Sequence, residues 1–584
     1  MTGLSFDLHD VGRLPAPGDN AAIATRRLEA GSRVAWGGAS HTLEHTILEG
    51  HRFAIRPVAV GEALLSWGLP FGHATRPIAP GAWLCNPKIL AVLRERSIDF
   101  ALPTEANFAD LPLEAYALDE ESFRPGVEVP PVGEGEGHLF QGYARGEGRG
   151  VGTRNYVVLL GTTSRTSGYV RALEEELAGA AAEWPNIDGI VAVAHTEGGG
   201  AGRPNNLDLL LRTLAGFMVH PNVGAVLAVD RGAEAVTNTV LRRYMLDQGY
   251  PLTGVLHRFV TLRGDFAADL AAGAALVRGW LPQVAAAERT AQPLAAIKLG
   301  LQCGGSDAFS GVSGNPLAAW VAQEIIRHGG AANLAETDEL IGAEEYVLQN
   351  VRDLDTARRF LATVERFKEL VGRHGHTAEG NPSGGNNYRG LYNIALKSLG
   401  AATKRAPAVR LDRVIDYAEP MREPGYYFMD SPGNDLESIA GQVASGSNLL
   451  YFVTGNGSIT NFPFVPTIKI VTTTARFRLL SRDMDVNAGA YLDGVPMDEL
   501  GRELLDLTAR VAGGERSAGE RAGHAQVSIW RNWRQTDRRE VARLQAAARP
   551  GGQPLPLVPA PAPSGEPPPT FVALRSEGGH ATDR

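Results

Sequence analysis

The sequence predicts an α/β fold: a small β-rich N-terminal domain, then a parallel α/β unit, then a larger α/β unit. Three observations carry this. The continuous apolar runs YVVLLG (156–161), GIVAVAH (189–195), GAVLAVD (224–230) and LAAIKLG (294–300) alternate with helical patterns. That alternation is how a parallel sheet covered on both faces reads. Short apolar segments punctuated by Gly and Pro fill residues 1–90, the pattern of closely spaced strands and turns. A chain of 584 residues also exceeds what one core can organise.

The totals narrow the function classes. Hydrophobic residues at 44% and charged residues at 21% are ordinary for a soluble globular protein. A net charge of −9, from 65 acidic and 56 basic residues, argues against a non-specific nucleic-acid binder. Two cysteines, Cys85 and Cys303, exclude a disulfide framework and a multi-thiolate metal site within one chain. They point to a reducing, cytoplasmic compartment. The N-terminus MTGLSFDLHD lacks the basic and apolar segments of a signal peptide. No apolar run approaches the ~18 residues of a membrane span.

In chain order, residues 1–100 form the β-rich domain. They hold His41, His45 and His51, and the spacing of four would let His41 and His45 share a helix face. A surface or core pair is the weightier reading of these histidines. Residues 101–137 lack periodicity and end in RPGVEVPPVGEGEG, a linker composition. Residues 138–290 read as a Rossmann-like unit. Leu207, Leu210, Leu211 and Leu214 give a helix stripe, capped by Asn205 or Asn206, and Asp265 to Glu288 is a second amphipathic run. The glycine run at 146–152 precedes its strand and has the wrong spacing for a dinucleotide site.

Residues 291–535 form the larger unit. A buried strand is expected at Leu294–Leu299, with helices from Leu317 to Ile326 and from Asp355 to Val371. Strands follow in NLLYFVT and PTIKIVTT, then a helix with Leu500, Leu504, Leu507 and Val511 on one face. Residues 536–584 turn basic and Pro-rich, with nine prolines from Pro550 to Pro569, and are expected to be disordered.

The chemistry centres on LQCGGSDAFSGVSGNP (301–316). Cys303, Ser306, Asp307, Ser310, Ser313 and Asn315 stand there among four glycines, just after a strand. Polar groups beyond a strand end are where open α/β sheets place sites. His195 follows another strand end, in HTEGGG. Asp307, Glu336, Asp430, Asp435, Asp483 and Asp485 lie beside Gly, Pro or Ser on later loops. Each alone reads as an Asx-turn, but together they suit a hard cation or a polyhydroxylated ligand. Arg145, Arg149, Arg154, Lys397 and Lys469 are available for a substrate carboxylate.

Ten collinear motifs then carry a resemblance. They include GYARGEGRGVGTRN (142–155), HTEGGG (195–200), VHPNVGAVLAVDRGAE (219–234), LQCGGSDAFSGVSGNP, LAETDELIGAE (334–344) and NPSGGNN (381–387). KSLG (397–400), MDSPGND (429–435), TGNGS (454–458) and DMDVNAG (483–489) complete them. From about residue 20 to 535 the chain resembles the altronate/galactarate dehydratase family. The resemblance implies an N-terminal β-clip (SAF-like) domain and a hydro-lyase that turns an aldonate or aldarate into a 2-keto-3-deoxy acid. It implies a divalent metal, iron or manganese. The expected catalytic residues are His195, Asp307 and Glu336, and the expected metal ligands Cys303, Asp435 and Asp485. Arg145, Arg154, Gly304, Gly305, Ser306, Asn386, Lys397, Asp430 and Lys469 are expected to bind substrate.

The chain also departs from the family pattern. Gly199, Ala233, Arg165 and Ala488 stand where the family has cysteine, and Trp83–Pro87 replaces a histidine-rich segment. Asn456 and Asn387 replace basic residues. An oxygen-ligated metal such as Mg²⁺ or Mn²⁺ becomes an option. The alternatives are a sulfolactate-type sulfo-lyase, which resembles the same family, or a catalytically silent sugar-acid-binding paralogue. The partner expected is a small sugar acid, with a homodimer allowed and neither nucleic acid nor membrane involved.

Overall fold

The computed structural model describes residues 4–133 and 137–531, with positions 543 and 546 beyond them. The expectation for the Pro-rich tail lies outside the described residues.

The N-terminal domain is built from three small three-stranded sheets. Its last strand, Phe108–Asp110, pairs antiparallel with Leu69–Ala74. His41 lies on the strand Ala39–Thr42 and stacks on Trp36 at 4.0 Å, and His45 follows in a turn. The helix face that their spacing would allow does not form, because alternation governs this stretch, and both side chains are half-buried, as the preferred reading of a surface or core pair has it.

Residues 112–133 contain no helix or strand. They run along the C-terminal domain, where Gly126 N–H donates to Val351 O (2.7 Å) and Val132 N–H to Arg327 O (3.1 Å). The second domain opens and closes on one stem, since Leu139–Arg145 pairs antiparallel with Thr290–Pro293. Its sheet is parallel throughout, in the order Gly189–Val193, Tyr156–Gly161, Val223–Asp230, Leu256–Thr261. The fourth strand, LHRFVT, is a half-buried edge with polar residues among its apolar ones and carries no continuous apolar run. Helices Leu207–Val219 and Phe266–Ala285 lie where periodicity places them; Asn206 precedes the first, but its side chain makes no capping bond and donates to Glu197 and Trp530 O instead.

The C-terminal domain holds a seven-stranded sheet whose neighbours all run parallel. Its order is Leu411–Ile415, Gly425–Met429, Ala331–Leu334, Lys298–Cys303, Leu449–Thr454, Thr467–Val471, Val486–Asn487. The first strand, Lys298–Cys303, is central, and later strands are added first on one side and then on the other. Loops beyond such a reversal point diverge and leave a crevice, where ligands bind in open α/β sheets.

The strand expected at Leu294–Leu299 is displaced. Leu294–Ala296 is a single tight turn, and the strand is Lys298–Cys303. The turn is closed by Ile297 N–H donating to Leu294 O at 3.0 Å. Cys303 is therefore the last residue of a buried strand, and the glycine-rich loop starts at Gly304. Helices Asn315–Arg327, Leu354–Arg373 and Met497–Ala512 match the expected ones.

Candidate functional site

Three strand ends meet beside the central strand. Glu336 follows Ala331–Leu334 and adopts a left-handed conformation at φ 74°. A non-glycine residue holds that backbone only where its surroundings insist. Here the Glu336 N–H donates to Ser431 Oγ at 2.9 Å, just past strand Gly425–Met429. The Glu336 carboxylate reaches the other way, and its Oε2 accepts the Cys303 N–H at 3.0 Å. The turn Thr337–Glu339 then delivers Asp338 and Glu339 to the same crest. Asp338 Oδ1 accepts the Gly433 N–H at 2.6 Å. Asp435 opens the helix Asp435–Ala444 from the neighbouring strand's loop.

Two lysines face these carboxylates from the helix Ile394–Ala402, which Asn393 caps, and from its C-terminal end. Lys397 and Lys404 are seven apart, two helical turns, so they address the same side. Lys397 Nζ lies 3.0 Å from Glu339 Oε1 and donates to Asn381 Oδ1 at 2.8 Å. Lys404 Nζ sits between Glu336 Oε2 at 3.6 Å and Glu339 Oε2 at 3.7 Å. These are ion-pair distances, too long for hydrogen bonds. Among the described residues, Lys404 Nζ and Glu339 Oε2 have no hydrogen-bond partner, although Lys404 and Glu336 are only 1% exposed and Glu339 4%. A buried charged donor and acceptor left unmatched is costly, so such a place needs a reason.

The electrostatics separate the carboxyls. Burial, then the negative charge of Glu339, pushes Glu336 well above the usual carboxylate range. Burial acts on Glu339 too, but Lys397 and Lys404 outweigh it and hold Glu339 below that range. Burial and Glu339 raise Asp338 and Asp435 to about 6 each. Burial raises the Cys303 thiol well above its ordinary value, with Glu339 adding to it. The thiol sits 2.7 Å from Ser306 Oγ.

Several expected site residues frame this centre. Gly305 O accepts N–H bonds from Gly455 (2.8 Å) and Asn456 (3.1 Å), and a side chain at Gly305 would overlap the Asn456 amide. Gly304 N–H donates to Val453 O at 2.8 Å. Asn386 Nδ2 donates to Ser306 O at 2.9 Å. Asp430 lies one residue from Ser431, accepting from Thr337 Oγ1 and Arg366, both at 2.7 Å. The N-terminal domain braces the loop carrying Asn381 and Asn386. Arg52 Nη1 donates to Gly390 O at 2.9 Å, His51 Nε2 lies 3.0 Å from Tyr388 O, and Lys88 Nζ donates to Pro382 O at 3.3 Å.

Other expectations are corrected by the geometry. His195 has both ring nitrogens committed to backbone, Nε2 to Gly161 O at 2.9 Å and Nδ1 to the Glu197 N–H at 3.1 Å. Burial lowers it to about 4, so it is a neutral structural group without a free lone pair for proton transfer. Asp307 accepts four hydrogen bonds, from Phe309 N–H, Ser310 N–H, Ser310 Oγ and Thr472 Oγ1. It anchors the wide helical turn Ser310–Gly314 instead of offering a base.

Arg145 donates to Pro221 O and Asn155 Oδ1, both at 2.8 Å, and takes no part in the cluster. Arg154 spends its guanidinium on Glu520, Thr153 O, Val511 O and Glu515 O. Asp485 and Lys469 belong to a separate group near the far sheet edge. The Asp485 oxygens accept the Lys469 N–H (2.8 Å) and Ala518 N–H (2.7 Å), and Lys469 Nζ lies 3.3 Å from His524 Nδ1. Cys303, Asp435 and Asp485 therefore do not form one metal site. Among the described residues, the group of three ligand atoms within 4.8 Å of one another is Asp7, His9 and Asp10, on the exposed surface.

Glu339, Asp338 and Lys404 were not singled out from sequence. The signal was present, in the acidic run of LAETDEL and in a second lysine two turns beyond KSLG. The crest offers oxygen donors from Glu336, Glu339, Asp338 and Asp435, one protonated thiol and no histidine. That donor set, with one glutamate oxygen unpartnered, fits a hard divalent cation better than a thiolate-bound one. No helix among the described residues is long and apolar enough to cross a membrane.

Comparison with known proteins covers most of the chain. The family model described as D-galactarate/Altronate dehydratase, C-terminal, matches residues 294–535. The second domain of D-galactarate dehydratase/Altronate hydrolase matches 142–285, and the altronate/galactarate dehydratase SAF domain matches 15–90. Altronate dehydratase of Escherichia coli is 28% identical over 515 residues, 88% of this chain and 97% of the relative. The (2R)-sulfolactate sulfo-lyase subunit beta of Chromohalobacter salexigens is 30% identical over 402 residues, 68% of this chain and 98% of the relative. Galactarate dehydratase (L-threo-forming) of Escherichia coli is 26% identical over 515 residues, 85% of this chain and 92% of the relative.

Proposed function

The chain belongs to the altronate/galactarate dehydratase family, and we propose that it removes water from an aldonate or aldarate to give a 2-keto-3-deoxy acid. The observation that carries the catalytic reading is the fully buried Lys404 ammonium between Glu336 and Glu339 with no hydrogen-bond partner. Dehydration needs a base for the proton α to the carboxylate, positive charge facing the enediolate, and an acid for the departing β-hydroxyl. Two carboxyls pushed apart in acidity supply an acid and a base side by side. Glu339, held ionised by two lysines, accepts the α-proton. Glu336, held protonated by burial and by its neighbour, donates to the hydroxyl. Lys404 directs its free N–H groups at the developing oxyanion. Burial keeps water away and strengthens each of these charges.

A divalent cation is part of the proposal, with Asp338 and Asp435, which take no part in the proton transfers, as the carboxyls that would hold it; among the described residues no three ligand atoms of the crest lie within 4.8 Å of one another, so the cation would draw them together. When bound, it would stabilise the enediolate charge. Its support is the acidic excess, four carboxyls against two lysines, and the oxygen-rich donor set. A cytoplasmic location is proposed too, supported by two cysteines that are both free and buried.

The test is keto-acid formation from a panel of aldonates and aldarates that includes altronate and galactarate, anaerobically with Mg²⁺, Mn²⁺ or Fe²⁺. A keto acid from at least one acid is expected. The match to a sulfo-lyase subunit favours one rival, so sulfite release from sulfolactate is measured beside it. Sulfite with no keto acid from any sugar acid would replace the dehydratase reading.

A further inference from the structure

A cleft of about 250 Å³ opens between the second and C-terminal domains on the pole opposite the crest. Lys298 on its wall begins the strand that ends at Cys303, so the two sites stand about 16 Å apart along that strand. The cleft is lined by Arg149, Lys298 and Arg422 together with His220, Tyr250 and Gly446, among others, and by no aspartate or glutamate.

Among the described residues the three cations have no ion-pair partner. Arg149 donates to four neutral carbonyls, those of Val219, His220, Val223 and Gly254, at 2.6 to 3.0 Å. These bonds fix the guanidinium but leave its charge unneutralised. Lys298 Nζ donates to Met421 O at 2.5 Å, again a neutral partner, with two hydrogens to spare. The acids beside Arg422 in sequence are engaged elsewhere, Glu419 with Arg359 at 3.1 Å and Glu423 with Arg413. His220 adds no negative charge, since its ring is neutral and bonded to Ser447 O. Burial, then the charge of Arg422, lowers the Lys298 ammonium, as expected of like charges gathered without compensation.

We propose that this cleft binds a small dianion, a phosphate or a dicarboxylate, seated against Lys298 and Arg422. The site is separate from the proposed catalytic crest and does not depend on that reading. An anion there would neutralise the cluster and tie the strand start at Lys298 and the Met421–Arg422 loop to the turn at Arg149 in the other domain.

The experiment uses the full chain at fixed ionic strength, with inorganic phosphate, succinate or chloride as probes, read by thermal melting and calorimetry. At least one dianion is expected to raise the melting temperature above the chloride control. Arg422→Ala, an exposed position, is expected to weaken that binding about tenfold or more, the loss of one charge-assisted contact. Its activity on an aldonate, with no dianion added, should be unchanged. Lys298→Gln should weaken it as well. Stabilisation by phosphate alone identifies a phosphate site, and by succinate alone a dicarboxylate site. A site that takes any small dianion responds to both. No effect beyond chloride, or equal binding in Arg422→Ala, would overturn the proposal.

Discussion

Two buried charged regions of this molecule look alike in sequence and differ in their hydrogen bonds. At the base of the second domain, Arg154 is fully buried and pairs with Glu520. Each guanidinium N–H has an acceptor between 2.7 and 2.8 Å, two on Glu520 and three on carbonyls. At the crest of the C-terminal sheet, Lys404 is as deeply buried and faces two glutamates, and its ammonium has no hydrogen bond among the described residues. The first region is finished, and its charges hold the C-terminal helices to the domain seam. The second is unfinished among the described residues, and a ligand that brings acceptors to Lys404 and donors to Glu339 would complete it. Accounting for donors and acceptors thus distinguishes these two regions where residue type does not.

Substitutions that break the unfinished region should act on rate. Lys404→Met is expected to lower keto-acid formation by about 10³-fold or more, the scale of losing a positioned electrostatic group. Its stability cost should be smaller than that of Arg154→Met, because Glu336 already carries a proton and Glu339 keeps Lys397. Activity assays and denaturant titration of the same preparations check both statements.

Substitutions that break the finished region should act on folding. Arg154→Met leaves Glu520 buried without its partner and is expected to cost about 3–5 kcal/mol. The folded fraction should retain wild-type turnover. Unchanged stability would show that the seam does not depend on this pair.

A pH experiment sharpens the same contrast at His220. Its Nε2 donates to Ser447 O and its Nδ1 accepts the Asn222 N–H, so the folded ring is neutral, with burial lowering its pKa to about 3. The unfolded chain binds a proton below about 6.5 and the folded chain does not, so this stability is present above 6.5 and lost as pH falls. Between pH 7.5 and 5, wild type should lose about 2 kcal/mol relative to His220→Gln, which does not titrate there. A constant gap would contradict the assignment. The smallest effect is expected at His195, which is also finished. His195→Gln should keep turnover within about tenfold, short of the loss typical of a proton-transfer residue.

Much of the frame was legible in the sequence. Apolar runs marked Tyr156–Gly161, Leu449–Thr454 and Thr467–Val471, and 3.6-residue spacing marked the helices Leu207–Val219 and Leu354–Arg373. These signals are local, and burial of one face imposes them. The strand end at Cys303 was misplaced because an apolar turn at Leu294–Ala296 looks like strand when only hydrophobicity is read. Glu336 and Lys397 were found as candidates, but Lys404 and Glu339 were not. Arg154 stood out as a basic group for a substrate carboxylate and His195 as a polar group after a strand end, yet their bonds are already spent. Which donors are spent depends on contacts such as Arg154 to Glu520, 366 positions apart, and no local pattern records them.

The most direct test of the central claim is the rate of keto-acid formation by Glu336→Gln, measured with the best wild-type sugar acid. Glutamine keeps the shape and an oxygen that can accept the Cys303 N–H, so the variant should melt like wild type. It cannot give up a proton as an acid does, and the account predicts a loss of about 10²- to 10⁴-fold. A folded variant that turns over within a few-fold of wild type would show that the crest cluster is not the catalytic centre.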